Sequence, residues 1–254
     1  SYFLQGQLPE ALIWQKKAVL LNPKSSIPSY IIGWTYRLLG DHTSAELWLD
    51  KSIQQRPLAD AYRELAYSYV SQGRNTDALA LIPAVLDMRQ DNSRIYEMAG
   101  IIADYAGDTV QAAEYYRQSI ALNESVNTDP LTISPIGLGR ILLNAGNTME
   151  GNLLLTRATA LSLDEIKQGS QADDPPFNLS AINAIQGRKA EALQWLQKAV
   201  NARFIDYALL EHSPYFENIR DEPEFQQIVT SLKQEVTSMR EQAENEALLL
   251  PPSL

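Results

Sequence analysis

Cysteine is absent from this 254-residue chain. That one absence removes disulfide frameworks, thiolate zinc sites and thiol nucleophiles together. It also leaves the redox compartment unreadable, because a cysteine-free chain serves in cytosol and periplasm alike. Histidine is scarce, with only His42 and His212, so a mechanism that needs two neighbouring imidazoles has little to draw on. No apolar run approaches the roughly 18 residues of a membrane-spanning helix. Positive charge is short as well: 21 Lys and Arg stand against 31 Asp and Glu, for a net charge of −10, and the bases form no run. Such a chain repels phosphate backbones, which argues against nucleic acid as a partner. What remains is 45% hydrophobic and 20% charged, the balance of an ordered globular protein. At this length, folding buries about 70–75% of the unfolded surface.

Catalytic signatures are missing too. There is no G-x-x-x-x-G-K-[ST] phosphate loop, no H-E-x-x-H zinc helix and no G-x-S-x-G nucleophile turn. Gly137-Leu138-Gly139 lacks the third glycine of a dinucleotide site, and it falls where two helices are expected to touch. The carboxylate pairs Asp173-Asp174 and Asp221-Glu222 read as residues that stabilise helix N-termini. No catalytic residue, metal ligand or cofactor site is assigned, and the chain is not read as an enzyme.

What the sequence does have is a repeat. Glycines between two apolar-periodic stretches fall at Gly6, Gly40, Gly73, Gly107, Gly146 and Gly187, spaced 34, 33, 34, 39 and 41 residues apart. Five residues after each stands a small residue, from Ala11 and Ala45 to Gly151 and Ala192. A second small set precedes the glycines by seven: Gly33, Ala66, Gly100, Gly139 and Ser180. A period near 34 predicts two helices per unit, joined by a turn in which glycine supplies the left-handed conformation that ends the first helix. The small residues mark where two antiparallel helices approach closely. Asp41, Asp108, Asn75 and Asn147 are placed to cap the following helices. Pro23 and Pro57 stop the second helices of the first two units.

This pattern resembles the tetratricopeptide repeat family. The second unit carries it most fully, with Ile32-Gly33, Tyr36, Gly40, Ala45, Leu49 and Pro57. The fourth follows with Tyr96, Gly100, Gly107-Asp108, Ala112 and Tyr116. The resemblance implies an all-α, right-handed superhelical solenoid of about six helix pairs over residues 1–204. Residues 205–254 form a connector and a C-terminal capping helix. Pro135 and Pro176 replace the usual aromatic in units five and six, and the stretches near 124–132 and 164–174 are inserts that bend the superhelix or carry an extra turn. The array opens in mid-helix without a polar cap, so the chain is expected to be a fragment of something longer. Residues 214–225, with Pro214-Tyr215-Phe216 and Ile219-Arg220-Asp221, look like the segment closing such arrays in bacterial signalling proteins. That likeness implies an upstream effector domain in a regulator or sensor.

Family resemblance also supplies the expected site, a concave groove lined from the first helix of each unit. Carried onto this sequence, the partner-binding positions are Tyr30, Trp34, Arg37, Arg63 and Tyr67, then Glu97, Asp104, Tyr105, Arg140 and Asn144. The first five mix aromatics with positive charge, the residue types that dominate binding hot spots; the same aromatics could equally pack between adjacent first helices. The Lys-Asn-Arg clamp that grips a terminal carboxylate in the chaperone-binding members is absent. The expected partner is a protein or peptide segment in the groove, held by aromatic and Arg contacts. Self-association through the groove or the open N-terminal face is the alternative, and a small-molecule or catalytic groove ranks third.

Overall fold

The computed structural model describes residues 7–88, 92–126 and 131–247, with side chains at 126, 246 and 247 left aside. The turn glycine Gly6 and the outermost residues of the chain lie outside that range. Among the described residues the only regular secondary structure is helical. In chain order the helices are α1 (Leu8–Leu21), α2 (Ser26–Leu38), α3 (His42–Gln55), α4 (Ala59–Ser71), α5 (Asn75–Leu79), α6 (Ile82–Leu86) and α7 (Ser93–Tyr105). There follow α8 (Thr109–Val126), α9 (Ile133–Asn144), α10 (Thr148–Lys167), α11 (Asp174–Ile185), α12 (Lys189–Asn201), α13 (Tyr207–His212) and α14 (Pro223–Ala247).

The pairing follows the repeat. Helices α2 and α3, α7 and α8, α9 and α10, and α11 and α12 pack as antiparallel hairpins. The first helices α2, α4, α7, α9 and α11 lie side by side and build the inner wall. Gly40, Gly73, Gly107, Gly146 and Gly187 all have φ between 72° and 89°, a region that costs glycine little. At each, the amide of the residue after the glycine reaches back to the carbonyl five residues earlier, as in Asp41 to Tyr36 and Asn147 to Leu142. That bond satisfies a helix-end carbonyl that would otherwise be orphaned. Arg203 holds the same position after α12 with φ 81°, a conformation that costs a non-glycine residue about 1 kcal/mol or more.

Small residues sit where helix pairs touch. A Cβ added at Gly33 would meet Leu49, and one added at Gly139 would meet Leu155. Gly100 and Gly137 both abut the ring of Tyr116, which is fully buried. Serine side chains add a second link: Ser52 Oγ donates to the carbonyl of Ser26 and Ser119 Oγ to that of Ser93, each at 2.9 Å.

Several sequence-based expectations need correction. The second helix of the third unit is broken into α5 and α6, because Pro83 offers no N–H to the carbonyl of Leu79 and its ring crowds that carbonyl. Asp41 and Asp108 accept amides of their own helices, from Ser44 and Gln111 at 3.0 and 3.1 Å. Asn147 caps without a side-chain bond, and Asn75 lies inside α5. The insert near 164–174 begins as further turns of α10, whereas residues 127–130 of the other insert lie outside the described range.

The C-terminal segment does more than close the end of the array. After α12 the chain turns inward, so that α13 rests on α4 and a 3-10 turn at Pro214–Phe216 rests on α11. Helix α14 then packs on both α12 and α1. Its buried stripe is Phe225, Val229, Leu232 and Val236, spaced to share one face. The first three join the main core, and Val236 packs with Leu8 and Leu12 of α1. At 25 residues α14 is about 37 Å long, enough to tie the last repeat back to the first.

Candidate functional site

The inner wall of the array carries two internal networks and a cavity. In the first network, Arg37 on α2 donates from Nε to Glu64 Oε2 at 2.6 Å and from both terminal nitrogens to the two oxygens of Asp206, at 3.1 and 2.7 Å. Arg37 and Glu64 are each 2% exposed and Asp206 is 12% exposed. A guanidinium fork matched to a carboxylate gives two parallel bonds and fixes both partners. Burial disfavours the charge on Arg37, but Asp206 and Glu64 outweigh it and hold the group firmly protonated. Arg63, one residue before Glu64, bridges Glu64 and Asp60, both at 3.2 Å. Asp206 lies just before α13, so this network ties the connector to the groove.

The second network lies deeper. Asp104 on α7 pairs with Arg140 on α9 and accepts from the Tyr116 hydroxyl at 3.4 Å. Desolvation pushes the Asp104 carboxyl up to about 6, against the pull of Arg140. The Tyr116 and Tyr215 hydroxyls meet at 3.4 Å, and Tyr105 donates to Ser213 Oγ at 3.2 Å. Glu97 accepts from the backbone amide and the hydroxyl of Ser134 at 3.0 and 2.9 Å. It thereby caps α9 from a neighbouring helix, although burial raises its carboxyl.

These contacts revise the groove expected from the sequence. Arg37, Glu97, Asp104, Tyr105 and Arg140 are at most 8% exposed, and their polar groups are directed at other parts of the same chain. The connector covers two of them, with Asp206 on Arg37 and Ser213 on Tyr105, 169 and 108 residues apart in sequence, whereas Glu97, Asp104 and Arg140 are held by pairing between α7 and α9. Tyr30, Trp34, Arg63 and Tyr67 remain half-buried on the groove surface, and Asn144 is exposed. Tyr30 stacks on Trp34 at 5.7 Å between ring centroids. Trp14, Trp48 and Trp195 sit on the second-helix side, each under a lysine three residues later at 4.6, 4.4 and 3.6 Å. Trp14 is 53% exposed.

Between the inner wall and the connector lies a cavity of about 380 Å3, within the range of small-ligand pockets. Trp34, Arg37, Arg63, Tyr67 and Tyr105 from the expected groove all line it. It also draws on residues that sequence reasoning did not place in the site: Asp173, Asp174 and Asn178 of the α11 region, and Arg203, Asp206 and Tyr215 of the connector. Asp173-Asp174 was visible as a pair of acids at a helix start, a pattern that ordinarily means stabilisation of the helix end. Among the described residues no group of three or more His, Asp or Glu is arranged to hold a metal ion.

Residues 63–126, which run from α4 to the end of α8, match the tetratricopeptide repeat family model. The match is confined to that stretch. Solved structures of the same architecture extend the fold likeness to the whole chain. A tetratricopeptide repeat protein from Parabacteroides merdae covers 94% of this chain and 80% of its own, at 15% identity and a TM-score of 0.52. The thermophilic TPR protein TTC0263 of Thermus thermophilus covers 82% and 98%, at 16% identity and 0.51. The APC/C hetero-tetramer Cut9-Hcn1 covers 97% and 47%, at 15% identity and 0.57. At these identities the likeness is one of fold, an all-α helical-repeat solenoid. No curated protein matches the chain. Among the described residues no helix is long and apolar enough to cross a membrane.

Proposed function

We propose that the chain is a non-catalytic protein-interaction scaffold whose concave face takes a polypeptide segment of a partner. The observation that supports this most directly is the connector. Residues 204–216 already lie along the inner wall, with Phe204, Leu210, Tyr215 and Phe216 buried there and Asp206 gripped by Arg37. A groove that holds its own chain by apolar side chains and one forked ion pair has the shape and chemistry to hold another. The surface left for a partner is the half-buried patch of Tyr30, Trp34, Arg63 and Tyr67 around the cavity mouth. Aromatic and arginine side chains on such a surface supply large rigid area with polar handles. The finer reading, that the array is the regulatory or sensor part of a larger bacterial signalling or transcription-regulator protein, draws its support from the Pro214–Phe225 pattern.

The test is a quantitative capture experiment from native lysate with wild type and a Trp34→Ala/Arg63→Glu variant shown to be folded by its melting curve. Proteins lost only from the variant support the groove. Equal recovery with both baits refutes it. A second reading, self-association, is favoured by Leu20 and Leu21 at the end of α1 and Ile27 at the start of α2, which are 55%, 88% and 50% exposed. Light scattering at increasing concentration tests it, and a constant monomer mass rules it out.

A further inference from the structure

The inner wall pairs most of its charges internally, but one side of the cavity is left unanswered. Arg37 is matched by Glu64 and Asp206, and Arg63 by Glu64 and Asp60. Asp173 and Asp174 face the same cavity with no ion-pair partner among the described residues. Asp173 is the N-cap residue of α11, yet its side chain accepts no helix amide. The usual structural role of an acid at that position is therefore not being served. Burial raises its carboxyl to about 6, with Asp174 and Asp206 pushing the same way.

Five positions further along stands Asn178. It is 8% exposed and lines the cavity, and its side-chain amide has no hydrogen-bond partner among the described residues. Its polar atoms are not among those shut off from solvent without a partner, so they open onto the cavity, where a ligand can take the place of water. Phe177 lies between these polar groups in the sequence, and Trp34 and Tyr67 line the same cavity. The combination is a carboxylate, a free amide carbonyl and aromatic rings around one space.

From this we infer that the cavity receives the side chain of a lysine or arginine from the partner segment. Its charged head would meet Asp173 and the Asn178 carbonyl, and its alkyl stem the rings of Trp34, Tyr67 and Phe177. Aromatic faces attract such cations, the more so when water is excluded, and long basic side chains bury their stems on apolar surface while the head stays polar. The net charge of −10 draws basic segments toward this chain and raises their encounter rate. The inference rests on the scaffold reading above and specifies the chemistry of the partner.

The test uses the intact chain and terminally blocked heptapeptides, alanine throughout except for a central Lys, Arg, Leu or Glu, with binding followed by titration calorimetry and amide chemical shifts. The Lys and Arg peptides should bind at least about tenfold tighter than the Leu and Glu peptides, with shifts centred on residues 173–178 and Trp34. Asp173→Asn, which removes no capping bond, should weaken them about tenfold, the scale of one charge-assisted contact. Asn178→Leu, which fills the space with an apolar group, serves as a second variant. The charged groups around Asp173 are Asp174 on its own helix, Asp206 and Arg203 on the connector, Arg37 on α2, and Arg63 and Glu64 on α4. Lowering the pH from 7.5 to 5 should therefore weaken wild-type binding by about tenfold as Asp173 takes up its proton, and should leave Asp173→Asn nearly flat.

Equal or tighter binding of the Leu or Glu peptide overturns the inference, as does the absence of saturable binding by the Lys and Arg peptides. Unchanged affinity in both variants overturns it as well. Tighter binding of free 1,4-diaminobutane than of either basic peptide overturns the assignment to a protein side chain. Loss of partners from the Trp34→Ala/Arg63→Glu bait together with any of these results leaves the scaffold reading standing and removes only the basic ligand.

Discussion

Replacing Arg37 by methionine probes the tie between the connector and the groove. Methionine keeps the length and apolar stem of the side chain and removes only the fork. Glu64 and Asp206, at 2% and 12% exposure, would then face each other's surroundings without their shared cation. Breaking a buried pair by removing one partner costs about 3–5 kcal/mol. Arg63 still reaches Glu64 at 3.2 Å, which points to the lower end, about 3 kcal/mol. Against a total stability of about 5–15 kcal/mol that is a large fraction, and for a chain of this size it lowers Tm by about 6–12 °C. The loss should also be local. Asp206 caps α13 by accepting the Leu209 amide at 3.0 Å, so losing its anchor should raise hydrogen exchange over residues 203–216 before α7 to α10 respond. Urea unfolding followed by circular dichroism gives the magnitude, and exchange mass spectrometry gives the place. An Arg37→Met/Glu64→Gln double variant should recover part of the loss, because it removes the Glu64 carboxylate that Arg63 alone then answers and leaves only Asp206 without its cation. A loss below about 1 kcal/mol with unchanged exchange in 203–216 would refute the reasoning.

Gly100→Ala would place a Cβ 2.5 Å from Tyr116 Cδ1; Tyr116 is held on its other side by Gly137 and cannot retreat, so the substitution should cost about 1–3 kcal/mol in urea unfolding, and an unchanged midpoint would contradict the packing. Asp173→Asn should stabilise the chain at pH 8 by about 1 kcal/mol and do nothing at pH 4. The folded carboxyl titrates at about 6, above its value in the unfolded chain, so the folded state binds the extra proton between those values and wild-type stability falls as pH rises through 6. Partial exposure of Asp173 keeps the gain well under the full shift, and equal melting temperatures of the two proteins at pH 8 would show that Asp173 is answered after all.

The sequence made the frame legible because each element of the frame is local. A glycine with φ near 74° at positions 40 and 187 must follow a helix end, and a small residue seven positions earlier must lie against the partner helix. Those relations repeat every 33 to 41 residues and announce themselves. The break in the third unit was equally local, written in Pro83, but a single proline near a helix start also fits an unbroken first turn. Depth within the groove was not local. Arg37, Asp104 and Arg140 occupy positions that normally face solvent, and charged residues at such positions read as exposed. Arg37 is buried because the connector reaches it from 169 positions further along the chain, and Asp104 and Arg140 because they pair with each other across two repeats, 36 positions apart. No periodicity within a repeat could carry that information.

The same non-local packing explains why the site is best read by asking which polar groups the fold leaves without an answer. A cavity wall of half-buried charge is costly unless each group is paired, and this chain pairs Arg37, Glu64, Asp206 and Arg63 with one another across three elements. A protein that can organise such a network around one face of the cavity has not been prevented by sterics from doing so at the other, where Arg203 stands exposed on the rim, Asp173 meets its own backbone amide and no cation, and Asn178 has no hydrogen bond among the described residues. Local rules are commonly broken where function requires it, with stability given up in exchange. Asp173 and Asn178 break two of them five positions apart at the start of α11, and both line the cavity with Trp34 and Tyr67. Pairing them from within would cost the chain nothing but the vacancy itself, and it is the vacancy that a basic side chain fits.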